Sequence, residues 1–351
     1  MTTAATETAL RNAVTHICDH FPRRHVWNPA QLNGCRDWLR QQVEQMGYHV
    51  EPDEFTAAFW TDANGTASTL KVANLLIDIP GTDPNAKKLI IGAHYDARCG
   101  MAEQQSKKPA FFDGPLEPSH PSYFYQDTPG ANDNASSVAA LLVLLDHLRG
   151  KTLRRPLQVA FWVNEEYPFY KNYWAKGRKK DKITFTANGL GSFHHAQSLA
   201  PEKILGAIAL DTIGCYDEGQ GYASKDAPWW KRKLVEQVFP KEHDFVAFLT
   251  DYRHLDFTRQ VAELFRAVPD TPRLIVRGLP AAKDFNWGWS DDWSFWKRGI
   301  PAFCVTDTAF IRSQHYHRIT DTPETLNYPA FAKVVRGLQE TVDKLCTDKQ
   351  E

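Results

Sequence analysis

Near the start of the chain, apolar positions recur at helical spacing. Ala9, Leu10, Val14, Ile17 and Phe21 share one face, and Leu32, Cys35, Leu39, Val43 and Met46 share another, so two amphipathic helices precede any sheet. The period then changes. Residues 48–59 read as extended, 72–79 as a strand stopped by Pro80-Gly81, and 89–91 as a strand running straight into Gly92-Ala93-His94-Tyr95-Asp96. A helix carrying Val138, Leu141, Leu142, Leu145 and Leu148 closes at Gly150. The apolar run 157–163, rich in β-branched and aromatic residues, ends abruptly in Asn164-Glu165-Glu166. Runs of that kind are buried on both faces, as in the middle of a parallel sheet. Helices over 191–199, 229–238 and 255–268 then alternate with strands over 204–210, 245–249, 274–276 and 302–305, and a last helix buries Phe331, Val334, Val335, Leu338, Val342 and Leu345. The alternation predicts an α/β fold: one domain over residues 1–351, a central, mostly parallel mixed sheet with helices on both faces.

Two stretches interrupt this pattern. Residues 97–129 have no sustained period but many prolines and aromatics, which predicts a lid or binding loop. Residues 167–190 mix Tyr167, Phe169, Tyr170, Tyr173 and Trp174 with a basic run at 176–182, read as a solvated face.

With 351 residues, 42% of them hydrophobic, the chain can bury a large core, and its net charge of -1 gives no electrostatic argument for nucleic acid or an anionic membrane. Six widely spaced cysteines without a Cys-x-x-Cys pair read as reduced, mostly buried thiols. The first residues lack a basic region followed by an apolar core, and no membrane span is visible, so the expected location is the cytoplasm.

The chemistry gathers at strand ends. Strands end at His94, at Glu165-Glu166, at Asp211 and, one loop later, at His317, with Asp133 in a turn between the first two. Neighbouring side chains on extended backbone point to opposite sides, so if one glutamate binds a cation the other is free to move a proton. By itself Asp133 reads more readily as a helix cap than as a ligand. Sites in open α/β sheets form beyond the carboxyl ends of the strands, which brings these residues together. Two imidazoles and three carboxylates are nitrogen and oxygen ligands that suit zinc, with manganese or cobalt as substitutes. Five ligands exceed one catalytic zinc. The count is explained if a carboxylate bridges two ions about 3.5–4 Å apart.

The ordered set Gly92-Ala93-His94-Tyr95-Asp96, Gly130-Ala131-Asn132-Asp133-Asn134-Ala135-Ser136, Asn164-Glu165-Glu166, Leu210-Asp211-Thr212-Ile213-Gly214, Ser290-Asp291-Asp292, Gly299-Ile300-Pro301 and the stretch 317–322 resembles the dinuclear zinc exopeptidases. That family includes bacterial secreted aminopeptidases, glutamate carboxypeptidase and, more distantly, glutaminyl cyclase. The resemblance implies that His94 and Asp211 bind one zinc ion, Glu166 and His317 a second, and that Asp133 bridges them. It also implies Glu165 as general base, Asp96 as the carboxylate that orients His94, and Asp321 as the corresponding partner of His317. Asp291 is expected near the substrate's amine or behind a ligand, whereas His194, His195 and His315 read as packing or surface residues.

The implied activity is removal of the N-terminal residue from a short peptide. The aromatic inserts and a tryptophan-rich loop (Trp287, Trp289, Trp293, Trp296) would line the cleft with Tyr316, favouring an apolar or aromatic first residue. Some positions depart from the family pattern: Asp292 replaces a usual histidine or tyrosine, Ser137 a frequent glycine, and both inserts are long. One alternative is a glutaminyl-peptide cyclotransferase with a single zinc, although such relatives have tryptophan at the position of Tyr316 and lack the Asn132-Asp133-Asn134 turn. Another is a metal-free binding protein on the same fold.

Overall fold

The computed structural model describes residues 3–61, 67–99, 127–166, 169, 189–216, 237, 239–240, 242–279 and 290–347. Its frame is an eight-stranded sheet of β1 (Glu51–Thr61), β2 (Ala67–Ile79), β3 (Lys88–His94), β4 (Leu157–Trp162), β5 (Ile204–Leu210), β6 (Phe245–Asp251), β7 (Arg273–Leu279) and β8 (Ala302–Thr306). The spatial order is β1-β2-β4-β3-β5-β8-β6-β7. The middle strands β4, β3, β5 and β8 run parallel, and so do β6 and β7, while β2 and β6 join the parallel block antiparallel. The sheet is thus mixed and mostly parallel, and four parallel strand ends point at one edge.

Both faces of that block are covered. Alternate residues of a strand face opposite sides, and here Leu89, Ile91, Val159, Phe161, Ile208 and Phe303 enter the larger core, whereas Ile90, Ala160, Trp162, Ala207 and Ala209 enter a smaller one. The larger core is closed by α1 (Thr3–His20), α2 (Pro29–Gln45), α3 (Ser136–Leu148), α5 (Leu255–Arg266) and α8 (Tyr328–Thr347). The smaller is closed by α4 (Gly191–Ser198) and α6 (Asp292–Trp296), and α7 (Ala309–Arg312) follows β8. Helix α3 is buried at nearly every position, which explains why its sequence shows so little polar stripe. All six cysteines are buried and none forms a disulfide. Among the described residues no helix is long and apolar enough to cross a membrane.

Two sequence expectations need amendment. The extended segment before the sheet is one arm of a long hairpin, β1 paired with β2, so β2 begins well before Val72. Trp293 and Trp296 lie on α6 rather than in a loop: Trp293 packs against Phe193, and Trp296 donates its indole N–H to the carbonyl of Ala302. Their roles are in packing, not in lining a cleft. The two inserts and the helix expected over 229–238 lie almost wholly outside the described residues, as do Trp287 and Trp289.

Gly92 on β3 shows how tightly the strand that carries His94 is held. A Cβ there would lie 2.5 Å from the Trp162 ring and 2.7 Å from the carbonyl oxygen of Ala160. Both neighbours are buried and have no room to retreat. Gly92→Ala is expected to destabilise the protein by about 1–3 kcal/mol, read as a lower urea midpoint at unchanged slope; an unchanged midpoint would show that the strand spacing adapts.

Candidate metal centre

The loop that holds Asp133 is fixed by its neighbours in the motif. Gly130 takes a left-handed φ of 62°, natural for glycine, and a side chain there would collide with the carbonyl oxygen of Asp133. Asn132 donates its amide to Asp307 Oδ2 at 2.9 Å and accepts from the Gly214 N–H at 2.8 Å. Asn134 donates to the Leu210 carbonyl at 2.9 Å and accepts from the Thr212 N–H at 3.2 Å. Ser136 donates to the Asn132 carbonyl and accepts from the Ile213 N–H. The loop is therefore laced to the segment leaving β5. Asp133 lies two residues before Ala135, the N-cap position of helix α3, and makes no capping bond to that helix. The helix-cap reading is excluded.

That leaves the carboxylate of Asp133 between two histidines. Its Oδ1 lies 3.4 Å from His94 Nε2 and its Oδ2 lies 3.1 Å from His317 Nε2. Around His94 stand Asp211 Oδ1 at 4.0 Å and Glu165 Oε2 at 3.9 Å; around His317 stands Glu166 Oε1 at 3.5 Å. Two triads result, His94 with Asp133 and Asp211, and Asp133 with Glu166 and His317, each with ligand atoms within 4.8 Å of one another. Glu165 and Glu166 lie beyond the end of β4, after Asn164 turns the chain with a φ of 66°, so strand alternation does not set their directions; Glu165 stands by His94 and Glu166 by His317.

The donor atoms fit a metal better than they fit each other. Both ring nitrogens of His94 and Oε1 of Glu166 are buried without a hydrogen-bond partner. Bonds of 2.0–2.1 Å to a tetrahedral zinc separate neighbouring ligand atoms by about 3.3 Å, close to the spacings seen here. The set is oxygen and nitrogen without thiolate, as a zinc-class hydrolytic site requires.

Charge gives the same picture. Burial raises Glu165 well above the usual carboxylate range, His94 opposes this, and Asp211 and Glu166 add to it. Burial and the neighbouring Asp133 push Asp211 up to about 8. Asp133 moves the other way: burial would raise it, but the imidazoles of His317 and His94 beside it outweigh that and hold it ionised. Burial would lower His94, and the carboxylates of Asp133 and Asp96 instead raise it well above its ordinary value. So many acids crowded in one buried place repel one another, and bound cations relieve that repulsion.

Supporting residues partly follow expectation. Asp96 Oδ1 is 3.5 Å from His94 Nδ1, and its two oxygens also accept the amide N–H groups of Glu165 and Glu166, each at 3.1 Å. One carboxylate thereby fixes the backbone of both glutamates and lies beside the His94 ring. Asp321 does not pair with His317. Its oxygens accept the N–H groups of Asn132 at 2.8 Å and Asp133 at 3.1 Å, because the loop's orphan amides are nearer than the imidazole. Asp291 is buried without a hydrogen bond to either oxygen; burial pushes it up to about 6 and its charge acts on both Glu165 and Asp211. Asp292, buried beside it, is raised well above the carboxylate range by burial and by Asp291. The Tyr316 ring stacks on that of His317, centroids 3.8 Å apart, and burial and the charges of Asp133 and Asp211 raise its phenol. His195 accepts the indole N–H of Trp162, His194 pairs with Asp53, and His315 bonds Thr320.

Sequence reasoning missed two arginines. Arg98 Nη1 lies 3.5 Å from Glu166 Oε2. Arg24, buried, donates to the carbonyls of Tyr95, Pro129 and Gly130, pinning the exit of β3 to the Asp133 loop. Arg98 stands two places beyond Asp96, which hinted at it, whereas nothing in the sequence near Arg24 signals its role.

Comparison with known proteins agrees. A protein of Escherichia coli K12, described as uncharacterized protein YfbL, is 32% identical over 332 residues, covering 94% of this chain and 85% of that protein. Among solved structures, a leucine aminopeptidase precursor from Bacteroides thetaiotaomicron matches with a TM-score of 0.65 and 17% identity over 96% of each chain. A glutaminyl cyclase from the same organism, bound to N-acetylhistamine, matches with a TM-score of 0.62 and 16% identity over 96% of this chain and 97% of its own. At such identities the structures share the fold. The pattern of peptidase family M28 matches residues 74–342, and the chain belongs to that family.

Proposed function

We propose that this protein is a metal-dependent aminopeptidase that releases the N-terminal residue of short peptides at a two-metal centre. The observation that carries the reading is Asp133, whose two oxygens face separate histidine-containing triads. A single-ion cyclase has no use for the second triad. Likeness to the glutaminyl cyclases is one of fold, and the Tyr316 stack on His317 stands where that reading expects tryptophan.

His94 and Asp211 would hold one zinc ion, Glu166 and His317 the other, and Asp133 both; manganese or cobalt could replace zinc. Such a pair, when bound, lowers the pKa of water and polarises a carbonyl. Asp96 orients His94 and fixes both glutamate backbones. Burial and the neighbouring acids raise the proton affinity of Glu165; with cations relieving that repulsion it would stand as the carboxylate, which takes a proton from water and returns it to the leaving amine. The proton moves within one site, so a single carboxylate suffices for both transfers. Asp291, buried and lacking a hydrogen bond, is suited to a substrate ammonium group, and the Tyr316 phenol borders the same carboxylates.

Glu165→Gln, which keeps shape but cannot take a proton, is expected to lower kcat by roughly 10²–10⁴-fold with metal content unchanged by elemental analysis. Asp133→Ala and Glu166→Ala should lose metal as well as activity, and equal metal loss in all three variants would refute the division of roles. A second experiment separates the two chemistries: aminoacyl anilides and N-terminal glutamine peptides are supplied before and after chelation. Two metals per chain and chelator-sensitive release from free-amine substrates are expected, while one metal with ring closure of glutamine would establish the cyclase instead.

A further inference from the structure

A second convergence of ligand-type side chains shares no residue with the two triads. Ligand atoms of His25, Cys99 and Asp127 fall within 4.8 Å of one another. They come from three separate pieces of chain: the segment after α1, the exit of β3, and the stretch that leads into the Asp133 loop. Backbone bonds hold these pieces together. The Ala97 N–H donates to the Arg24 carbonyl at 3.0 Å, and the Thr128 N–H donates to the Arg98 carbonyl at 3.2 Å. Each of the three side chains is next in sequence to a residue in one of those bonds, so their approach to one another is built into the fold.

His25 supplies an independent observation. It is 4% exposed, and neither ring nitrogen makes a hydrogen bond. A buried imidazole without a partner is unfavourable. Its Nε2 lies 3.1 Å from Asp127 Oδ1, near enough for a hydrogen bond but misaligned for one. Two donor atoms at that spacing that form no hydrogen bond match the separation of neighbouring ligands on one ion, about 3.3 Å on zinc. Arg23 holds the other oxygen of Asp127 from its Nε at 2.5 Å, which fixes the carboxylate with Oδ1 toward His25. Cys99, fully buried, adds sulfur to the set.

We propose that His25, Cys99 and Asp127 form a separate site for one thiophilic divalent ion of the zinc class. A thiolate and a carboxylate together balance a dication, and the imidazole binds in its neutral form. Three protein ligands leave the fourth position to water. The ion ties the exit of β3 and the approach to the Asp133 loop to the N-terminal segment, alongside the clamp that Arg24 already makes. It differs in chemistry from the two triads because it alone contains sulfur.

That difference provides the test. Protein stripped by a chelator is reloaded with cobalt(II), and the near-ultraviolet absorption is searched for a thiolate-to-cobalt charge-transfer band, which no set of nitrogen and oxygen ligands produces. The band is expected in the wild type and in Asp133→Ala, and should vanish in Cys99→Ser and in His25→Ala. Zinc content should fall by one equivalent from wild type to Cys99→Ser, whatever number the catalytic centre holds. Absence of the band from cobalt-loaded wild-type protein, or its survival in Cys99→Ser, overturns the proposal without touching the aminopeptidase reading.

Discussion

Buried like charges repel, and the edge of this sheet gathers more of them than a protein can ordinarily hold. Asp133, Glu165, Glu166, Asp211 and Asp291 are brought together beyond the ends of β3, β4 and β5, with His94, His317 and Arg98 opposing them among the described residues. In that setting Glu165 and Asp211 move toward the protonated form, while Asp133, between two imidazoles, stays ionised. A fold that accepts such repulsion must recover the energy elsewhere, and the large apolar cores on both faces of the sheet supply it. Cations at the triads would remove the penalty where it arises.

Repulsion also explains why so much hydrogen bonding is spent on backbone rather than on the acids themselves. Asp96 and Asp321 both point their carboxylates at amide N–H groups, of Glu165 and Glu166 in one case and of Asn132 and Asp133 in the other. Each fixes the main chain of the residues whose side chains must face the centre. Asp307 does the same one layer out, accepting from Asn132 and from the Cys215 N–H. Left-handed backbone at Asn164, Thr212 and His317 belongs to this arrangement. Thr212 is β-branched, so its φ of 53° is unfavourable; it is held by the bond from its N–H to Asn134 and by its hydroxyl against Thr306. Strain at the turn beside Asp211 is thus sustained by the same asparagine that anchors the Asp133 loop.

Much of this was legible in the chain because burial on both faces leaves an unmistakable pattern. The runs that became β3, β4, β5 and β8 are predominantly apolar, and each stops at a polar residue where the sheet ends, so His94, Glu165-Glu166 and Asp211 could be gathered from the sequence. Periodicity cannot assign a donor to an acceptor, however. Asp321 was expected to meet His317 because they are near in sequence, yet backbone amides from a loop far earlier in the chain lie closer. The tryptophans at 293 and 296 looked like cleft residues by composition, but a five-residue helix turns them into packing. Arg24 and the grouping of His25 with Cys99 and Asp127 were invisible, since they depend on three remote segments meeting and leave no spacing signature.

The same topology serves aminopeptidases and glutaminyl cyclases, so the fold by itself does not select the chemistry. In this chain the loop before α3 presents the carboxylate of Asp133 to two histidines. Here Asn132 and Asn134 are each engaged through both ends of the amide, one by Asp307 and Gly214, the other by Leu210 and Thr212. That leaves Asp133 no freedom to turn toward one histidine alone. A loop held this firmly imposes equal distances to two sites rather than optimising one, and the near match of 3.4 Å and 3.1 Å to His94 and His317 is the result. A protein using a single ion would gain nothing from such a loop. The lacing around Asp133 is therefore the feature that most favours hydrolysis by a paired centre.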